Sequence, residues 1–177
     1  MDEEQLINGC VNGNREAQKA LYEKYSRKMM AVCLRYVKNT EDARDVMQEG
    51  FVKLFSNLPK YKSSGSFDSW VYKIFANSAL EFIRRNHLLS YTDDLDDYDD
   101  IDEPDEASVW DVPPEVVMDS IRSLPDGFRT IFNMYAVDGY SHKEIAEKLK
   151  ITESTSRSQY MRARKMLQKM ILDYTNR

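Results

Sequence analysis

The sequence predicts an all-α protein with two small helical domains joined by a flexible acidic linker. Apolar residues recur at intervals of three and four along most of the 177-residue chain, which is the period of an amphipathic helix. No window alternates apolar and polar residues as a half-buried strand would. After residue 90 the composition changes abruptly to aspartate and proline. These features predict domains at residues 1–90 and 115–177, with a linker at 91–114.

Four helices are predicted in the first domain, and each is bounded by turn-forming or capping residues. Asn12 and Gly13 end the first helix, and Asn39 separates the second from the third. Pro59 and Gly65 mark a loop before the fourth. The predicted helices are Glu3–Val11, Asn14–Lys38, Glu41–Phe55 and Phe67–Asn86.

Four more helices are predicted in the second domain, and the last two form a helix-turn-helix. Gly139 suits a left-handed cap. Ser141 and Glu144 form a capping box, and Thr152 is a natural N-cap. The predicted helices are Glu115–Ser123, Asp126–Val137, a third ending at Leu149, and a fourth from Thr152 to about Tyr174.

Charge is distributed unevenly along the chain. Residues 1–87 carry 14 basic and 11 acidic side chains, a net of +3, whereas residues 88–116 carry 12 acidic side chains and no basic one. Residues 117–177 carry 11 basic and 7 acidic side chains, a net of +4. The overall charge of −5 therefore comes from the linker, and both domains are basic.

The composition argues against membrane insertion, secretion and metal binding. No apolar run approaches the roughly 20 residues that a membrane span needs, and the acidic N-terminus is unlike a secretory signal. Cys10, Cys33, His87 and His142 are solitary, so none is assigned to a metal or to catalysis. We therefore expect a cytoplasmic protein that needs no metal and no cofactor.

The final predicted helix carries the clearest functional signal. At about 100° per residue, its apolar residues face the preceding helix and its cations gather on the opposite side. Long cations reach phosphates or guanine edges, and shorter polar side chains reach bases. This pattern predicts insertion into the DNA major groove. The residues on the outward side are Arg157, Ser158, Met161, Arg162, Lys165 and Lys169.

The predicted helix Glu41–Phe55 has an acidic face. Glu41, Asp45 and Glu49 stand one turn apart, with Gln48 beside them. Stacked carboxylates cost a little helix stability, which a basic partner surface would relieve. On spacing alone, a solvated face without a partner is the simpler explanation.

The predicted helix Phe67–Asn86 combines aromatic and basic residues. Lys73, Asn77 and Arg84 share an outward face within about 40° of each other, and Trp70 lies at its border. Lys60, Tyr61 and Lys62 lie in the loop just upstream. Such a surface suits unstacked single-stranded bases. An aromatic core stripe with a solvated basic back is an equally good explanation.

Three segments, in this order, resemble the bacterial RNA polymerase sigma factors of the extracytoplasmic-function (ECF) type. They are TEDARDVMQEGFVKLF (40–55), FDSWVYKIFANSALEFIRR (67–85) and LPDGFRTIFNMYAVDGYSHKEIAEKLKITESTSRSQYMRARKML (124–167). The resemblance extends from about Gly9 to Ile171. It implies a non-enzymatic initiation factor whose first domain is sigma region 2 and whose second is sigma region 4.

The resemblance also implies partners and contact residues. Docking on the clamp helices of the polymerase β′ subunit maps to Asp45, Gln48 and Glu49. Opening and reading of the −10 element map to Lys62, Phe67, Trp70, Lys73, Asn77 and Arg84. Reading of the −35 element maps to Thr155, Arg157, Ser158, Met161, Arg162 and Lys165. Region 4 is expected to pack on the β flap, and an anti-sigma factor is expected as a regulator.

Several positions depart from the pattern of the family. Lys150 stands where many members have a turn glycine, so the turn must avoid a positive φ or strain a lysine. Ser154 and Ser156 replace residues that are often glycine and an aliphatic. Glu81 is also uncharacteristic. These departures leave the preferred −10 and −35 sequences open.

Two other functions fit part of the sequence. A conventional helix-turn-helix activator or repressor would explain the last third of the chain, but not residues 40–85. A nucleic-acid-processing enzyme would need a metal-ligand cluster or a nucleophile with a base partner, and the sequence shows neither.

Overall fold

A computed structural model describes residues 2–62, 65–86 and 112–176. Within these ranges all regular structure is helical, which confirms the predicted fold class. The chain divides into two compact units, Met1–Ile83 and Arg84–Arg177. Most of the predicted linker lies outside the described residues, so its boundaries stay a prediction. No described helix has both the length and the apolarity to cross a bilayer.

The first unit contains four α-helices and one short 3-10 turn. Capping residues set their starts: the side chains of Asp2, Asn14 and Asn39 each accept a hydrogen bond from a first-turn amide. The 3-10 turn, Leu58–Lys60, lies in the predicted loop. The helices are α1 Glu3–Val11, α2 Arg15–Tyr36, α3 Thr40–Asn57 and α4 Phe67–Arg85.

Aromatic rings hold α3 against α4 in the core of this unit. Phe51 meets Phe75 edge to face, with ring centroids 4.9 Å apart. Gly50 lies directly over Phe75, and a Cβ at Gly50 would come within 2.5 Å of that ring. Because Phe75 is fully buried, it has no room to move aside. Glycine at this position therefore permits the close approach of the two helices.

The second unit contains the other four helices, with one deviation from the prediction. The predicted helix Asp126–Val137 is α-helical only to Phe132 and continues as a π-helical turn over Asn133–Val137. There the amide of Asp138 donates to the carbonyl of Asn133, five residues back. The helices are α5 Pro114–Ser123, α6 Asp126–Phe132, α7 His142–Leu149 and α8 Glu153–Thr175.

A buried arginine fixes the turn between α5 and α6. Arg129 is only 1% exposed. Its guanidinium donates to the carbonyl of Leu124 at 2.8 Å and to that of Arg122 at 3.2 Å, and it pairs with Asp126. The carbonyls that close α5 thereby find a donor inside the protein. Beside this turn, α8 contributes Ala163 and Leu167 to the core of the unit.

The conformation of the turn between α7 and α8 shows whether Lys150 avoids a positive φ or is strained by one. Lys150 adopts φ 57° and ψ 45°, the left-handed conformation that favours glycine. The backbone amides of Lys150 and Ile151 both donate to the carbonyl of Ala146, and these two hydrogen bonds close the end of α7. The lysine is therefore strained, and the turn keeps the geometry that a glycine would give.

We expect Lys150→Gly to stabilise the second unit by about 1 kcal/mol, since it removes the steric cost of a left-handed side chain. Lys150 is exposed, so few side-chain contacts are lost. Thermal denaturation measures the gain. Glu147→Gly, at an exposed position within α7, is the control and should lower the free energy of unfolding by about the same amount. Destabilisation by Lys150→Gly would contradict the strain.

Candidate nucleic-acid and polymerase interfaces

An open cavity of about 370 Å³ lies where the loop after α3 meets the start of α4. Three lysines, two serines and Trp70 are among the residues that border it. We call it the Trp70 pocket. It is lined by Lys60, Tyr61, Lys62, Gly65, Ser66, Ser69, Trp70 and Lys73. A flat ring beside cations can stack a base while the lysines hold its phosphates.

Three of the residues predicted to contact the −10 element line this pocket, and three do not. Lys62, Trp70 and Lys73 lie in its wall. Phe67 is 1% exposed and stacks beneath Trp70, with centroids 5.7 Å apart. The ring of Phe67 therefore belongs to the core of the unit, and its direct contact with the −10 element stays a prediction. Asn77 and Arg84 lie further along α4, outside the lining.

The acidic face of α3 continues into an exposed apolar residue, Val52. Asp45 and Gln48 are exposed and Glu49 is half-buried. Val52 follows at the next turn of the same face and is 66% exposed, the most exposed of the large apolar side chains described. Lys53 turns away to pair with Glu81 on α4 at 2.6 Å. The surface thus offers a methyl-bearing side chain among carboxylates.

A buried polar contact joins the two helices of the helix-turn-helix. His142, the first residue of α7, lies 2.9 Å through Nδ1 from the hydroxyl of Ser156 on α8. The imidazole also stacks on Tyr135, with centroids 4.2 Å apart. Both His142 and Ser156 are buried. The serine that departs from the family pattern thus has a partner within the unit.

The outward face of α8 presents polar and apolar groups near its start. Ser158 and Met161 are exposed, and Met161 is 45% exposed. Arg157 pairs with Glu153 one turn earlier, which aligns its guanidinium along the helix. The amide of Thr155 donates a hydrogen bond to the side-chain hydroxyl of the N-cap Thr152, and Thr155 is half-buried. Arg162 and Lys165 are also half-buried, and their long side chains extend from the same outward face of α8.

Two family models match the chain in sequence order. The model described as Sigma-70 region 2 matches residues 21–88, and the model described as Sigma-70, region 4 matches residues 115–167. The matches span 68 and 53 residues, together more than half of the 177. The first contains the Trp70 pocket and the acidic face, and the second contains the helix-turn-helix.

Relatives match over nearly the full length. The ECF RNA polymerase sigma-E factor of Haemophilus influenzae is 26% identical, over 97% of this chain and 96% of its own. The RNA polymerase sigma-H factor of Pseudomonas aeruginosa is 27% identical, over 96% of this chain and 93% of its own. The chain belongs to the ECF-type sigma factors. Among solved structures, the sigma factor RpoE of Bartonella quintana, crystallised with the anti-sigma factor NepR, shares the fold of this sigma factor. The TM-score is 0.50, and the two sequences are 16% identical. The match covers 86% of this chain and 94% of that one.

Sequence reasoning overlooked two kinds of residue in this sigma factor. Ser69 precedes Trp70 and Lys73 at intervals that put all three on one helical face, so the spacing itself could have identified it. Val52 continues the series Asp45, Gln48 and Glu49 in the same way. The same spacing therefore indicated its exposure, although an isolated valine on a helix is most often buried.

Region 4 of this sigma factor is expected to lose stability as the pH falls below about 6.5. Burial lowers the pKa of His142, and the positive charge of Arg157 lowers it further, whereas Glu153 acts in the opposite direction. Because the folded state binds this proton more weakly than the unfolded state, His142 contributes its full stabilisation at pH values above its pKa in the unfolded chain. This stabilisation is lost progressively as the pH falls from that pKa through the lower pKa of the folded state.

Melting temperatures between pH 7.5 and 5.5 measure this loss. His142→Asn is the matched variant, since its amide can still bond Ser156 and does not titrate. Its melting temperature should vary less with pH. Equal pH dependence in both proteins would assign the effect to another group.

Proposed function

We propose that this sigma factor binds core RNA polymerase, reads the −35 element through α8 and holds melted bases of the −10 element in the Trp70 pocket. The observation that carries the proposal is the pocket itself, in which an indole and three lysines meet in one open cavity. Duplex DNA offers no unstacked base to such a site, so the pocket suits a strand that has been opened. Region 4 supplies the duplex contact.

The proposed work of the chain is binding. Capture of unstacked bases by Trp70 and the lysines stabilises the open state after the duplex separates, so strand opening needs no nucleotide hydrolysis by this chain. The acidic face of α3 suits a basic polymerase surface, which the resemblance places on the β′ clamp helices. Region 4 would pack on the β flap, and the site of action would be the cytoplasm.

Run-off transcription tests the proposal. Purified core polymerase and the full-length chain are incubated with a genomic fragment library, and the transcripts are sequenced. We expect a limited set of start sites that share upstream sequence and require the chain. The alternative, a helix-turn-helix regulator that replaces no sigma factor, predicts no copurification with core polymerase and no start sites without another sigma factor. That result would overturn the proposal.

Arg157→Ala is expected to weaken binding to the recovered −35 element about tenfold, the lower part of the range for a bidentate base contact. A loss of affinity in the lower part of this range is expected because wild-type Arg157 must break its ion pair with Glu153 to bind DNA. Fluorescence anisotropy of duplexes with holoenzyme measures the change. Lys19→Ala removes a comparable pair with Glu23 on α2 and serves as the control. An equal loss on all sequences would mean a phosphate contact and contradict base reading.

An anti-sigma factor is proposed as the regulator. The Bartonella quintana relative in fold was crystallised with one. In this chain, the exposed side chains of Val52 and Met161 are apolar groups that an inhibitor could cover while it blocks the polymerase and the promoter.

A further inference from the structure

We propose that Tyr61 is a positioning residue that keeps the Trp70 pocket shaped for one base at the −10 element. The inference rests on the proposed function of that pocket. It starts from a contact across the loop: the phenol hydroxyl of Tyr61 donates to the carbonyl of Gly65 at 2.7 Å. The two residues bracket the loop segment that carries Lys62.

Tyr61 is anchored on both sides of this loop. Its amide donates to the carbonyl of Leu58 at 3.1 Å, which closes the 3-10 turn. Its ring packs on Phe67 at 5.1 Å and on Trp70 at 4.9 Å between centroids. Because Phe67 is fully buried, the aromatic stack rests on the core. One residue therefore joins the preceding turn, through its amide, to the far end of the loop and the first turn of α4, through its side chain.

The ring of Tyr61 also contributes to the walls of two cavities. One is the Trp70 pocket with its lysines, and the other is a cavity of about 430 Å³ bordered by Glu3 and Glu4 of α1. A loop that opened at Gly65 would change the wall of the basic cavity. The tyrosine is thus placed to fix the distance between Lys62 and Trp70, and with it the size of base that fits.

The hydroxyl contributes little to overall stability, which makes the inference testable. The bond is exposed, so its loss shifts the loop equilibrium by about three- to tenfold. The ring contacts that support the fold do not depend on the oxygen. Tyr61→Phe should therefore leave folding and polymerase affinity unchanged while it alters the pocket.

The test uses the full-length chain with core polymerase and a promoter recovered by run-off selection. Open complex is measured by permanganate reactivity on the recovered −10 sequence and on single-base variants of it. With Tyr61→Phe we expect about three- to tenfold less open complex on the recovered sequence and a smaller ratio between that sequence and its variants. Melting temperature, core affinity and binding to the −35 duplex should match those of the wild type.

One control separates the role of this hydroxyl from general effects. Tyr22→Phe removes the phenol oxygen of an exposed tyrosine in the same unit that lies outside the Trp70 pocket. This variant should behave as wild type. An unchanged selectivity ratio for Tyr61→Phe, or an equal loss on every sequence, would overturn the positioning role alone. A wild-type chain that opened no promoter with core polymerase would overturn the proposed function, and this role with it.

Discussion

Arg129→Ala is expected to lower the melting temperature of region 4 by more than about 12 °C. Removing one partner from a buried charged network costs about 3–5 kcal/mol, and each kcal/mol shifts the midpoint of a domain this small by about 4–8 °C. The carbonyls of Arg122 and Leu124 would lose their donor, and a cavity would form beside the turn. A domain of this size has total stability of the same order, so much of region 4 would be unfolded at 37 °C.

Hydrogen exchange of the full-length chain locates this effect. Amides of α5, α6 and α8 should exchange faster in Arg129→Ala, while those of α2 and α3 in the first unit keep their protection. Arg122→Ala is the control: its side chain is 45% exposed and pairs loosely with Asp119 at 3.5 Å, so it should change stability by less than about 1 kcal/mol. A midpoint within about 3 °C of the wild type would show that Arg129 does not hold the turn.

The sequence predicted the helices well because their signals are local. Asn14, Asn39, Ser141 and Thr152 each cap the helix that follows, as their side-chain chemistry leads one to expect. Gly139 adopts φ 74°, the left-handed conformation predicted for it. Capping depends on the next three residues, so tertiary packing did not need to be known.

Features that depend on distant packing were not predicted. The charge of Arg129 argues for the surface, and only the fold shows three oxygens converging on it. The π-helical turn after Phe132 has no composition signal, although it presents Tyr135 to His142. Phe67 was assigned to DNA by the family resemblance alone, and in the fold the rings of Tyr25 and Tyr61 pack against it.

The candidate sites were predicted in part for the same reason. Helical spacing placed Lys73, Ser158 and Met161 on exposed faces, because a face is a property of one helix. Spacing could not show that Lys60, Lys62 and Trp70 enclose one cavity, since that depends on how the loop returns to α4.

Val52→Lys is expected to weaken core polymerase binding by about 100-fold, because like charges brought together at an interface cost several kcal/mol. The variant changes the acidic face of α3 in two ways. It removes the exposed apolar group beside the carboxylates, and it introduces an ammonium group three residues after Glu49, which partly neutralises the surface offered to a basic partner. The same ammonium favours the helix, so folding should be no less stable.

The expected changes in polymerase affinity and in stability have opposite signs, which distinguishes a binding defect from a folding defect. A merely destabilised protein would lose both properties, whereas Val52→Lys should lose affinity for core polymerase at an unchanged or higher melting temperature. Val11→Lys is the matched control, since Val11 is 44% exposed and ends α1, where a cation is also favourable. Val52→Ala should give a smaller loss, because it removes only the methyl contacts. If Val52→Lys bound core polymerase as tightly as Val11→Lys, the acidic face of α3 would not be the docking surface, and the polymerase contact would have to lie elsewhere on the chain.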